Sequence, residues 1–159
     1  MIFDGHIHLT EKKGTLDDFK NNLEKAGVDG GIVLSPSPES FGEEKNTLNP
    51  EERIKKVLTW TDFNPNLYAF FWIDPLETGA RDQVELARKM GIDGFKVICN
   101  NFYPGDPKPM KVWETIANTE LPLLFHSGIS YAGVNSSKYH RPAEFEALFN
   151  IDGIKFNLA

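Results

Sequence analysis

The feature that most constrains this chain is the regular alternation of short apolar runs with amphipathic stretches along its whole length. The runs "MIFDGHIHL", "GGIVLS", "LYAFFWI", "GFKVIC", "PLLFHS" and "GIKFNLA" read as six strands. Between them lie "TLDDFKNNLEKAG", "NPEERIKKVLTW", "GARDQVELARKMG", "PMKVWETIANTEL" and "RPAEFEALFN", which carry apolar residues at helical spacing. Their ends are marked. Thr15 and Asp18 fit a capping box, and Gly27 and Gly91 suit the left-handed residue that closes a helix. Asn49, Pro50 and Glu52 fit N-cap, first helical residue and capping partner.

Such spacing suits right-handed βαβ crossovers and a parallel sheet. An open doubly wound sheet and a (β/α)₈ barrel both satisfy it. The first strand, however, runs into His6 to Thr10 where a dinucleotide-binding sheet would carry its glycine-rich phosphate loop. The expectation is therefore an α/β chain of the (β/α)₈ TIM-barrel type. A full barrel takes roughly 250 residues and eight units, and this chain offers about six units in 159 residues. Residues 1–159 are read as a single domain, the N-terminal portion of an incomplete barrel.

Composition narrows the partners. The formal charge of −6 and pI near 5.2 argue against nucleic acid or an anionic membrane surface. No stretch approaches the ~18 apolar residues of a membrane span, and no basic segment followed by an apolar run opens the chain. With Cys99 as the one cysteine, no intrachain disulfide can form. A reducing, cytoplasmic setting is the expectation.

The chemistry concentrates at strand ends. Side chains alternate along a strand, so Asp4, His6 and His8 are expected on one face and Phe3, Ile7 and Leu9 on the other. His6 and His8 then stand roughly 7 Å apart at the backbone, close enough for both rings to reach one ion. An H-x-H motif is short, and two hydrogen-bonded or solvated histidines would look the same. His126 closes the fifth strand, at the same mouth of a parallel barrel as His8. Together the three nitrogens suit Zn²⁺ first, with Mn²⁺, Fe²⁺ or Co²⁺ also admitted.

Lys96 lies inside an apolar strand, where an unpaired ammonium is costly. Two readings stand: it reaches a carboxylate or the polar mouth, or it is carboxylated and bridges two metals. Asp74, Asn100, Asn101 and Tyr103 follow the third and fourth strands and are candidates to line a substrate pocket, although polar residues also serve turns. His140, in the loop "SSKYHRP", reads as a surface residue. Cys99 reads as a small buried hydrophobe.

Taken together, "FDGHIHL", "GFKVICNNFYPGD", "LPLLFHSG" and "RPAEFEALFNIDGIKFNLA" resemble the amidohydrolase superfamily. The similarity is to its amidohydrolase-related metal-dependent hydrolases and decarboxylases, and it covers the whole chain in order. The resemblance implies that His6 and His8 bind a divalent metal, that His126 is a further ligand, and that Lys96 matches a lysine carboxylated in bimetallic branches. It further implies a histidine ending a sixth strand and an aspartate ending an eighth, the groups that act on water. Both would fall beyond Ala159, so the catalytic residues are expected there and the chain reads as C-terminally truncated.

The function implied is hydrolysis of an amide or ester-type bond, or non-oxidative decarboxylation, of a small molecule through a metal-activated water or a metal-bound carboxylate. Two alternatives are carried. A metal-dependent phosphoesterase or deoxyribonuclease shares the barrel, but it resembles this chain less, since Lys96 and Ser127-Gly128 stand where such enzymes show a glutamate and a basic residue. A non-catalytic fragment is the other. Open first and sixth strands would expose unpaired edges, so a homo-oligomer or a second chain completing the barrel is expected.

Overall fold

The computed structural model describes residues 1–10, 14–41, 48–129 and 136–159. Strands β1 (Phe3–His8), β2 (Gly30–Leu34), β3 (Leu67–Trp72), β4 (Gly94–Val97), β5 (Leu123–Phe125) and β6 (Phe156–Leu158) alternate with helices α1 (Leu16–Ala26), α2 (Pro50–Thr61), α3 (Ala80–Met90) and α4 (Pro107–Ala117). The strands form one sheet in the order β1-β2-β3-β4-β5-β6, and every neighbouring pair is parallel. A doubly wound sheet reverses its strand order at a switch point. Strictly sequential order is that of a (β/α) barrel, and six strands make part of one.

The caps behave as their chemistry predicts. Thr15 and Asp18 form a reciprocal capping box at α1, and Asn49 and Glu52 form another at α2 behind Pro50. Gly27 and Gly91 close α1 and α3 with φ of 66° and 91°, a left-handed conformation that costs other residues strain.

The main core lies between the sheet's outer face and the helices. Phe71, Phe95, Val97, Leu123 and Phe125 pack there against Ile54, Val84, Ala87, Val112, Trp113 and Ile116. Burying a residue of this kind contributes about 1.5–3 kcal/mol. A smaller cluster of Leu34, Phe70 and Leu124 fills the inner face. Gly94 exists because of it: a β-carbon there would lie 2.6 Å from Cε2 of the Phe70 ring.

Two expectations are corrected. "RPAEFEALFN" does not form an α-helix; Pro142–Asn150 is a 3₁₀-helix. Its buried residues Phe145 and Leu148 are three apart, and at three residues per turn that spacing puts both on one face. In β1, the register slips between Asp4 and Ile7 relative to Gly31 and Val33. One extra residue there breaks the alternation. Asp4 therefore falls in register with the outer row of Val33 and Ala69, not on the face of the histidines. Phe3 lies on the inner side, its ring against Gly30.

Candidate functional site

The bulge in β1 brings its two histidines together. The Nε2 atoms of His6 and His8 stand 3.0 Å apart with ring centroids at 4.9 Å, while His6 N donates to the Asp4 carboxylate at 2.9 Å. Trp72, at the C-terminal end of β3, packs edge-on to the His8 ring with centroids 5.3 Å apart. Two ligand nitrogens at about 2.0–2.1 Å from one tetrahedral ion are about 3.3 Å apart. The observed separation suits a proton or a cation shared between the rings.

Lys96 is the register partner of Trp72 on one side and Leu124 on the other. It is 0% exposed, and its Nζ has no hydrogen-bond partner. Burial holds the ammonium down to about 8 against a weak opposing pull from Cys99. A carboxylate partner, one half of the reading that this residue reaches a carboxylate or the polar mouth, is not found among the described residues. Its ammonium instead acts on the charge of all four histidines of the chain.

His126 follows β5, its backbone N–H donating to Val97 at 2.9 Å, and its Nε2 is buried without a partner. Its neighbour is unexpected. His140, read from sequence as a surface residue, is 0% exposed. It sets its ring edge-on to His126 with centroids 4.7 Å apart and planes at 87°. Neither of its ring nitrogens makes a well-formed hydrogen bond, although the Cys99 and Gly128 carbonyls lie near enough to favour its protonation. The one local cue is Pro142, which opens the 3₁₀-helix whose Phe145 is buried and so draws the preceding segment inward.

Electrostatics make these imidazoles good ligands. Burial is the leading cause in every case, with Lys96 a further one. His8 is brought to about 4, with His6 the next contributor, although its ring still meets solvent. His126 is brought to about 4, with His140 the next contributor. His6 and His140 are lowered in the same direction. A neutral imidazole offers the lone pair a metal requires. The donor set fits a divalent cation in its chemistry, with unpartnered buried nitrogens and one close nitrogen pair. Among the described residues, however, no three His, Cys, Asp or Glu side chains stand close enough to hold one ion as they are placed. The arrangement is one of pairs, His6 with His8 and His126 with His140.

The expected pocket residues divide. Asp74 is buried and occupied by a turn, accepting from Ser40 Oγ and, at 2.8 Å, from the Leu76 N–H. Asn100 donates weakly to the Ser40 carbonyl at 3.4 Å. Tyr103 is partly exposed and packs edge-on to Tyr139 at 4.8 Å. It lines a groove of about 610 Å³ with Gly105, Glu144 and Phe149, and no histidine borders that groove. Cys99 is buried with its thiol pushed up by burial, the inert state expected of it.

Sequence reasoning also missed Arg53, which is 1% exposed. Its Nη1 donates to the Trp72 carbonyl at 2.8 Å, and its guanidinium lies over Phe71 at 4.8 Å. A helical pattern reads such an arginine as part of a solvated face.

No family model matches the chain, and no curated protein matches it in sequence. Solved structures do. The 5-carboxyvanillate decarboxylase LigW of Sphingomonas paucimobilis superposes with a TM-score of 0.68 at 18% identity, over 92% of this chain and 51% of that one. The 2,6-dihydroxybenzoate decarboxylase of Rhizobium gives 0.58 at 11%, over 99% of this chain and 64% of that one. The N-acetylneuraminate lyase of Mycoplasma synoviae gives 0.55 at 18%, over 98% of this chain and 52% of that one. The chain thus spans about half the length of the first and under two-thirds of the second. These likenesses establish the fold as a partial (β/α)₈ barrel. A shared barrel does not select the chemistry it carries.

Proposed function

We propose that this chain is the N-terminal portion of a metal-dependent hydrolase or decarboxylase of the amidohydrolase superfamily, acting on a small molecule. The sequence resemblance, the barrel and the histidine placement all favour that reading. Two of the similar structures are, by their descriptions, decarboxylases of aromatic carboxylic acids.

His6 and His8 would hold the cation, with His126 the third candidate ligand and Zn²⁺ the leading ion ahead of Mn²⁺, Fe²⁺ and Co²⁺. When bound, such an ion supplies Lewis acidity toward a carbonyl or carboxylate oxygen. The protein's own part is orientation and charge. Trp72 packs against the His8 ring and limits its motion. Among the described residues no carboxylate pairs with the Lys96 ammonium, which favours a substrate or ligand bearing negative charge at the inner rim.

The observation that carries the reading is the 3.0 Å separation of two Nε2 atoms on adjacent inner positions of β1. Zinc titration of the purified chain, with elemental analysis after dialysis, tests it. Bound zinc that is lost on His6→Ala and on His8→Ala is the expected result. A chain that retains no divalent ion, or binds it equally well without both histidines, ends the reading and leaves a non-catalytic fragment.

A further inference from the structure

We propose that Arg53 is a positioning residue for His8, acting through Trp72. This rests on the reading of His6 and His8 as the holders of a cation, and it gives that pair a support from outside the sheet. Arg53 belongs to α2, and its guanidinium lies over Phe71 on the outer face of β3. Its influence on the inner rim therefore passes through the backbone of Trp72.

That backbone lies where the ladder between β2 and β3 stops. The last register pair is Leu34 with Phe70, followed by the Ser35 N–H donating to the Phe70 carbonyl at 2.9 Å. At Trp72, side chains take over from the ended strand. Its N–H donates to Ser35 Oγ at 3.0 Å, and its carbonyl accepts from Arg53 Nη1 at 2.8 Å. On the opposite edge, the Ile73 N–H donates to the Lys96 carbonyl at 3.0 Å. The peptide units on both sides of the Trp72 Cα are thus held, and the direction of its Cβ is set with them.

That direction places the indole. Trp72 is buried and pairs in register with Lys96 on the inner face. Its ring packs against Phe41 with centroids 4.7 Å apart and edge-on to His8. His8 has more need of the contact than a core residue has. It stands on an edge strand, and its side chain still meets solvent. An imidazole so placed can exchange rotamers unless its neighbours block them. His6 supplies one ring contact and Trp72 the other. A ligand's lone pair must point at its ion, so what fixes the ring sets the affinity.

Packing alone does not account for Arg53. Ile54 and Val57 already bury that face of α2 without charge. The Nε of Arg53 has no partner, and its contact with Glu77 is long at 3.8 Å. The short bond goes to Trp72. An apolar side chain would fill the space without burying a charge, but it could not hold the end of β3.

Two readouts on the full chain test the proposal: zinc affinity, by competition with a chromophoric chelator, and the His8 ring resonances of the metal-free chain, assigned with His8→Ala. The indole should displace those resonances by its ring current. Arg53→Met keeps the aliphatic stem and removes the donor. It should weaken zinc binding by about tenfold, the lower end of what outer supports of metal ligands are worth, and shrink the displacement. Ser35→Ala and Trp72→Leu should do the same from the other two points of the tie, and Arg53→Lys should recover much of both. Val57→Ala, in the same helix, should lower the urea midpoint and move neither readout. An Arg53→Met chain that is less stable yet keeps wild-type affinity and resonances would overturn the positioning role and leave the metal reading standing. Should Arg53→Met not fold, the same result in Ser35→Ala and Trp72→Leu overturns it. A wild type that takes up no zinc ends the metal reading, and the His8 resonances still decide whether the tie sets the ring.

Discussion

The guanidinium of Arg53 donates through Nη1 to the carbonyl oxygen of Trp72 at 2.8 Å, tying helix α2 to the strand end whose indole borders His8. The same side chain lies 3.8 Å from the Glu77 carboxylate and stacks over Phe71. Arg53→Ala removes packing as well as charge and strands a buried carbonyl. A loss of about 2–4 kcal/mol is expected, read as a lower urea midpoint. Glu77→Gln should cost less, under about 1 kcal/mol, because that contact is long and partly exposed.

Lys96 is expected to be a stability liability retained for its chemistry. Replacing its unpaired ammonium by the apolar chain of Lys96→Met should stabilise the metal-free chain by about 1–3 kcal/mol. The pH dependence gives a second reading. Lys96 is held near 8 in the fold, against about 10.4 when unfolded. Between those values the unfolded chain holds the proton and the folded chain does not. Stability should therefore rise with pH across that window in the wild type relative to Lys96→Met. Parallel urea-midpoint profiles in the two proteins would contradict it.

Acid should destabilise the fold before its carboxylates titrate. His8 and His126 are held near 4, against about 6.5 unfolded. As pH falls from 6.5 to 4 the unfolded state takes up protons that the native state refuses, and stability is lost through that window. His126→Asn should flatten part of the decline, measured as the change in urea midpoint between pH 7 and pH 4.5.

Gly94→Ala should fail on steric grounds. The added carbon would sit 2.6 Å from a Phe70 ring atom, and overpacking of this kind costs about 1–3 kcal/mol. Phe70→Leu in the same chain should recover part of the loss. Thermal melts of the single and double variants decide it, and additive losses would mean that the ring is not the obstacle.

The alternation of strands and helices, both capping boxes and the glycine closures were legible in the sequence, because each is set within a few residues by periodicity or by a local hydrogen bond. H-x-H and the strand-ending His126 were legible as candidates for the same reason. The faces of β1 were not. Strict alternation put Asp4 with the histidines, whereas an extra residue opposite β2 moves it to the other row. A bulge depends on the partner strand, which lies twenty-odd positions away in the chain. The pocket candidates Asp74 and Tyr103 shared strand-end positions, yet one is bound into a turn and the other faces a separate groove.

The amino-acid order alone determined which segments extend, which coil and where each stops, since those choices rest on neighbours within one turn or one pleat. Only the packed molecule decided that His140 is buried against His126, that Arg53 reaches the end of β3, and that Lys96 pairs with no carboxylate among the described residues. The reason is one of range. Burial and pairing between distant segments depend on how the sheet curves and what its loops carry over the rim, and no local pattern encodes either.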